Sequence, residues 1–239
     1  CMNANTLQDY CKNLHISMVY SVYESKYAEN PEVTAFLNDA LSAELHTRKL
    51  NKQMKALKLA GFPTVKRFED LNLDALPDDG RRSLPDLQTL EFLKERRNLI
   101  LIGNSGTGKT HCAIAIGVQA CLNEYKVLFR TAATLINELY EAKKQNRLSF
   151  LIKKLKQADL LIIDELGYIS FDLEGAELLF QLLAARYEIQ STLVTSNLMF
   201  SEWVKVFHDK TLTAALLDRI THRALILNMT GNSYRRRED

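Results

Sequence analysis

The chain has 239 residues and a formal net charge of +2, with 46% hydrophobic and 25% charged residues. This balance is ordinary for a folded globular protein and excludes a fibrous, low-complexity or globally disordered chain. With so small a net charge, any anionic partner has to be met by local patches of Lys and Arg.

Cys1, Cys11, Cys112 and Cys121 form no C-x-x-C pair and no metal-ligand spacing with histidine. They read as small buried hydrophobes in a reducing compartment. The first residues carry Asp9 and Lys12 and no sustained apolar core, so no secretory signal is expected. No apolar run approaches the roughly 20 residues of a membrane span. A cytoplasmic protein without a membrane partner is the expectation.

In chain order, residues 5–60 read as helical. Leu7, Tyr10, Cys11, Leu14 and Met18 recur at helical spacing, Pro31 marks a helix start, and Ala35 to Leu59 contains no breaker. Gly61-Phe62-Pro63 ends that run. Residues 1–62 are therefore expected to form an N-terminal helical domain. Residues 63–97 read as a linker with one late helix, in which Pro77-Asp78-Asp79-Gly80 has turn chemistry. From residue 98 to 239 the pattern becomes alternating strands and helices. Strands are expected at 98–102, 126–130, 160–163, 192–195 and 224–227. Short apolar strands separated by helices predict an α/β fold with a five-stranded parallel sheet covered on both faces.

Gly103-Asn104-Ser105-Gly106-Thr107-Gly108-Lys109-Thr110 fits G-x-x-x-x-G-K-[ST] in full. An apolar strand precedes it and a helical segment, Cys112 to Leu122, follows, which is the context this P-loop requires. The glycines let successive N–H groups point inward around an anion, and the helix adds its positive end. Lys109 supplies a point charge for the β- and γ-phosphates of ATP, and the Thr110 hydroxyl is a Mg²⁺ ligand. The loop and the next residue, His111, are the expected nucleotide-binding stretch.

Asp159 to Glu165 is an apolar strand ending in two acids, Asp164 and Glu165, which should emerge at the sheet's C-terminal edge, where ligands sit. Asp164 is placed to hold Mg²⁺, and Glu165 is the candidate base for the attacking water. Thr192 to Asn197 is a second strand with a polar end. Asn197 could hold the lytic water or touch the γ-phosphate, though such an end is often only a turn.

These segments resemble a known family. The carriers are Leu161 to Tyr168, Glu174 to Leu182, Arg186-Tyr187-Glu188, Thr195 to Leu198, Leu217 to Ile220 and Ser233-Tyr234-Arg235. Together they resemble the IstB family, ATP-binding helper proteins of two-gene bacterial insertion sequences, over almost the whole chain. The helicase loader DnaC is a more distant likeness. The resemblance implies an AAA+ core in which Asn197 matches the sensor-one position and Arg219 the arginine finger. A finger acts in trans, so head-to-tail self-association is implied. A full C-terminal helical lid, common in this class, is not expected.

Arg48, Lys49, Lys52, Lys55 and Lys58 cluster with no acid among them. On a helix, Arg48, Lys52 and Lys55 share one face, while Leu50, Met54 and Leu57 lie roughly opposite, suited to packing. The basic stripe is the candidate contact to double-stranded DNA, largely without sequence choice. Arg235-Arg236-Arg237 is a second cluster. The expected protein is a Mg²⁺-dependent ATPase that assembles on target DNA and assists a partner transposase. A DnaC-like helicase loader is the alternative, and a nucleotide-binding module that never hydrolyses ATP is a third reading.

Overall fold

The computed structural model describes residues 4–73 and 76–231. The chain separates into two compact units, Cys1–Lys55 and Ala56–Asp239.

The first unit is helical. Helices α1 (Ala4–Asn13), α2 (Ser17–Lys26) and α3 (Pro31–Ala60) follow one another, and α3 runs on into the second unit. Leu7, Cys11, Leu14 and Tyr23 are buried, whereas Met18, placed by the same helical spacing, is 73% exposed on α2, because the chain turns at 14–16 and breaks the period. The Tyr23 hydroxyl meets Thr34 Oγ1 at 2.9 Å. Pro31 opens α3, where its missing N–H costs nothing. The face expected to pack does not do so throughout. Leu50 and Met54 are 47% and 66% exposed, and Leu57 alone of the three packs against a core. Opposition to charge on a helical wheel does not by itself supply a partner surface.

Among the described residues the second unit holds five strands: β1 (Asn98–Ile102), β2 (Val127–Thr131), β3 (Leu160–Leu166), β4 (Ser191–Ser196) and β5 (Ala224–Asn228). All pair in parallel, in the order β2-β3-β4-β1-β5. Alternate residues point to opposite faces, and the core divides accordingly. Leu99, Leu101, Leu160, Ile162 and Leu193 face one cluster, which includes α6 (Lys109–Leu122). Ile100, Ile102, Leu161, Ile163 and Val194 face the other. That second cluster is closed by α7 (Ala132–Lys144), α8 (Leu148–Lys156) and α9 (Leu173–Arg186), then the short α10 (Val204–Phe207) and α11 (Lys210–Thr221). Strands apolar on both faces can be stabilised only by helices on both.

The stretch between Phe62 and β1 is more than a connection. It forms a 3₁₀ turn at Phe68–Asp70, then helices α4 (Asp78–Thr89) and α5 (Glu91–Lys94). Phe68, Leu71, Leu84, Leu87, Phe92 and Leu93 lie in the first core cluster. Pro77 to Gly80, expected as a turn, is instead a helix start: Pro77 caps α4, and Asp78 and Asp79 fill its first turn. Acids there complement the positive helix end. Asp79 Oδ2 also accepts from the Asn228 N–H at 3.2 Å, tying α4 to the end of β5. Turn chemistry and helix-start chemistry use the same residues, and only the following apolar spacing separates them.

Cys11, Cys112 and Cys121 are free and buried. Burial pushes the thiols of Cys112 and Cys121 up to about 12, so both are inert. Among the described residues no helix is long and apolar enough to cross a membrane.

Candidate functional site

The site lies where β1, β3 and β4 end. Residue Gly103 follows β1, and its N–H donates to the Ser196 carbonyl of β4 at 3.1 Å. A Cβ on Gly103 would sit 2.2 Å from the Met229 carbonyl carbon, so only glycine lets the loop leave the sheet here. Gly108 precedes α6 in the left-handed conformation, with φ of 88°. The Thr107 hydroxyl donates to the Asn104 carbonyl at 2.9 Å, closing the loop on itself. Lys109 is buried, and its ammonium donates to the carbonyls of Gly103 at 2.6 Å and Asn104 at 2.5 Å. The charge is thus held inside the loop by neutral acceptors that a phosphate oxygen can replace.

Asp164 and Glu165, adjacent in sequence, take opposite environments. Asp164 is only 2% exposed, contrary to the expectation that it emerges from the sheet. Two hydroxyls make its burial tolerable: Thr195 Oγ1 donates to Asp164 Oδ1 at 2.6 Å and Thr110 Oγ1 to the same oxygen at 3.0 Å. Burial raises the Asp164 carboxyl above the usual range, and these hydrogen bonds with the Lys109 charge pull it back. Glu165 is exposed and takes a left-handed backbone, φ 61°. The register of β3 against β4 shifts between Ile163 and Leu166, so Glu165 lies in a bulge. Its N–H leaves the ladder and donates to Thr195 Oγ1 at 2.9 Å. A non-glycine residue in this conformation costs about 1–2 kcal/mol, and the Thr195 hydroxyl offsets that cost. Thr195 therefore supports both acids, a role the sequence reading did not assign. Its signal was a strand-end hydroxyl on the neighbour of an acidic strand end, visible only once β4 is known to pair with β3.

Asn197 follows β4, the strand between β1 and β3, and its Oδ1 lies beside Gly167, just past the acidic strand. Its Oδ1 is buried without a hydrogen-bond partner. Such an atom calls for a donor that the described protein does not supply. Tyr168, just past β3, donates its hydroxyl to Ser105 Oγ at 3.0 Å.

A cleft of about 350 Å³ runs along the loop, lined by Ser105 to His111, Glu165, Tyr168 and Thr195. Its other wall comes from the stretch read as a linker: Lys66, Asp70, Leu71, Asn72 and Leu76. His111 Nε2 lies 3.4 Å from the Arg67 carbonyl at this wall. Burial, together with the Lys66 charge, holds its imidazole below the usual range. No motif flags this wall, because it is built from apolar and polar residues of ordinary spacing.

Among the described residues no group of three His, Cys, Asp or Glu side chains forms a metal cage. One carboxylate beside one hydroxyl suits Mg²⁺, which takes few protein ligands and completes its shell with phosphate and water. Asp164 and Thr110 fit that requirement.

Arg219 is not part of this cluster. It sits in the last turn of α11, half-buried, with its guanidinium carbon 4.4 Å over the centre of the Phe180 ring. The adjacent Ile220 carbonyl accepts from Asn98 Nδ2 at 3.0 Å, which puts Arg219 at the start of β1, the edge opposite the phosphate loop. Arg48, Lys49, Lys52, Lys55 and Lys58 are all exposed on α3. Arg48 also pairs with Glu44 at 2.7 Å. Ser233, Tyr234 and Arg235 to Arg237 lie outside the described residues.

A parallel sheet ordered β2-β3-β4-β1-β5, with a phosphate loop after β1, two acids at the end of β3 and an asparagine after the strand between them, defines a P-loop NTPase of the AAA+ type. Residues 15–239 match the family described as IstB-like ATP binding protein, and the chain belongs to that family. It is similar to an ATP-binding protein of insertion sequence IS5376 from Geobacillus stearothermophilus, 35% identical over 236 residues, covering 97% of this chain and 94% of that protein. It is also similar to one of insertion sequence IS21 from Pseudomonas aeruginosa, 39% identical over 225 residues, covering 94% of this chain and 85% of that protein. Among solved structures, DnaI has the same core fold, with a TM-score of 0.57 at 21% identity over 75% of this chain and 92% of that one.

Proposed function

We propose that this protein is a Mg²⁺-dependent ATPase that assembles on double-stranded target DNA in its ATP form and presents that DNA to a partner transposase. The observation that carries the reading is the node formed by Thr110, Asp164 and Thr195 beside the phosphate loop. A buried carboxylate held by two hydroxyls is costly unless a cation completes it.

In this reading the loop N–H groups and Lys109 bind the β- and γ-phosphates. Thr110 and Asp164 would hold Mg²⁺, which would supply positive charge to neutralise the phosphates. Glu165 orients a water for attack on the γ-phosphorus and takes its proton. The unpartnered Asn197 Oδ1 accepts from that water. Arg219 completes the site of a neighbouring subunit, so assembly is head-to-tail and hydrolysis resets it. The basic stripe of α3 contacts phosphates of the DNA backbone, which gives affinity that falls with salt and little choice of sequence. The residues at 1–62 form the DNA-contacting part, 63–97 lead into the core, and 98–239 hold the ATPase. Relatives named for insertion sequences favour transposition over helicase loading, because their identity far exceeds the fold-level likeness to DnaI.

The test is phosphate release by the purified protein with and without Mg²⁺ and duplex DNA, beside imaging of protein–DNA complexes in a non-hydrolysable ATP analogue. DNA-stimulated, Mg²⁺-dependent release and nucleotide-dependent assemblies are expected. ATP binding without release would leave the non-hydrolysing module, and activity only with single-stranded DNA and a helicase would favour the loader.

A further inference from the structure

The surroundings of Arg219 differ from those of an arginine that serves structure. Arg186, which lines the same small cleft, shows the contrast. Arg186 is 1% exposed, and its guanidinium donates to the carbonyls of Leu155, Ala158 and Ser191 and to Thr192 Oγ1. Every edge of that side chain is engaged. Arg219 is half-buried, and its one described hydrogen bond is from Nη1 to the Ala215 carbonyl of its own helix at 3.1 Å. Its other described partner is the face of Phe180, on α9. Neither is a carboxylate.

The chemistry of that arrangement is selective. A carboxylate would occupy the in-plane N–H fork, the part of arginine that grips a phosphoryl group. An aromatic face attracts the guanidinium from above by its quadrupole and leaves free the in-plane donors that the Ala215 carbonyl does not take. Arg219 cannot use them on its own loop. Strand β1 alone, five residues at about 3.3 Å each, separates its edge of the sheet from Gly103. That span exceeds an arginine side chain.

We propose that Phe180 is the positioning residue that presents Arg219, edge outward, to the nucleotide site of a neighbouring subunit. This rests on the reading of Arg219 as a finger acting in trans. The ring is itself anchored, since Phe180 is half-buried against the second core cluster. Its orientation is thus inherited from α9, the helix that follows the acidic strand.

Mixed assemblies test both layers on duplex DNA. An Arg219→Ala subunit keeps its site but offers no finger, and a Glu165→Gln subunit keeps its finger but does not hydrolyse. Each alone should be nearly inactive, and the mixture should regain ATPase activity in the Arg219→Ala sites. Phe180→Leu added to the Glu165→Gln donor should lower the regained rate about three- to thirty-fold, the range expected for loss of a cation–π contact. Phe180→Tyr in the donor should restore it. Phe180→Leu added to the Arg219→Ala acceptor should leave the regained rate unchanged. A loss of equal size in donor and acceptor, or none in the donor, would overturn the proposal in favour of simple helix packing. No regained activity with the unmodified donor would instead remove the trans-finger reading beneath it.

Discussion

Thr195→Val is the most informative single substitution, because it keeps the shape of β4 and removes one oxygen. That oxygen donates to Asp164 at 2.6 Å and accepts from the Glu165 N–H at 2.9 Å. A hydrogen bond to a charged group is worth about 1.5–3 kcal/mol, and an orphaned buried amide adds about 1 kcal/mol. Destabilisation of about 2–4 kcal/mol at pH 7.5 is expected. The sign with pH follows from Asp164. Burial already holds its folded pKa above the unfolded value, so its charged form costs stability that is regained as pH falls through the folded pKa. The Thr195 hydrogen bond lowers that pKa, and removing it raises the pKa further. The mutant penalty should therefore be larger at pH 7.5 than at an acidic pH below the folded pKa, where the carboxyl takes up a proton. Trp203, the sole tryptophan, is 1% exposed within the second core cluster and reports unfolding by its fluorescence in urea. Thr195→Ser, which keeps the hydroxyl, should lose about 1 kcal/mol for its methyl, equally at both pH values. A Thr195→Val penalty below about 0.5 kcal/mol, or one that does not shrink as pH falls through the folded pKa, would refute the proposed support of Asp164.

Glu165→Gln should bind ATP as the parent does while phosphate release falls by about 10²–10⁴, the usual share of a general base; equal turnover would remove Glu165 from that role. Gly103→Ala drives a Cβ to 2.2 Å from Met229 backbone and should lower the melting temperature by about 5–10 °C, read by calorimetry. An unchanged melting temperature would mean that the exit of β5 is not fixed against the loop. Lys52→Ala with Lys55→Ala should flatten the salt dependence of duplex DNA affinity by about 0.9 in slope per lost phosphate contact. An unaltered slope would exclude this face of α3 from the interface.

Much of the core was legible because its signals are local. The phosphate loop is contiguous, and the strands that the apolar runs predict at 98–102 and 224–227 begin where expected. The predicted run at 126–130 is displaced by one residue, since Lys126 spends its N–H on Asp159 and pairing starts at Val127. What could not be read depends on long-range pairing. Thr195 matters only because β4 lies beside β3 in one register, and the bulge at Glu165 is a property of two strands together. The wall of the cleft from Lys66 to Leu76 was hidden for a different reason. Its apolar residues are too few and too irregular to show a period, and their burial is decided by α6 and the loop they cover. Pro77 to Gly80 misled because proline and aspartate begin turns and helices alike. Leu50 and Met54 had the right spacing for a packed face, but spacing cannot name a partner.

Titration of the protein with ATP in a calorimeter, first with Mg²⁺ and then with EDTA, bears most closely on the whole scheme. Saturable binding that is tighter with Mg²⁺, lost in Lys109→Ala and made insensitive to Mg²⁺ in Asp164→Asn, is the expected result. No binding heat in either buffer, or equal affinity with and without the ion, would contradict a site built from the Gly103–Thr110 loop and the buried Asp164.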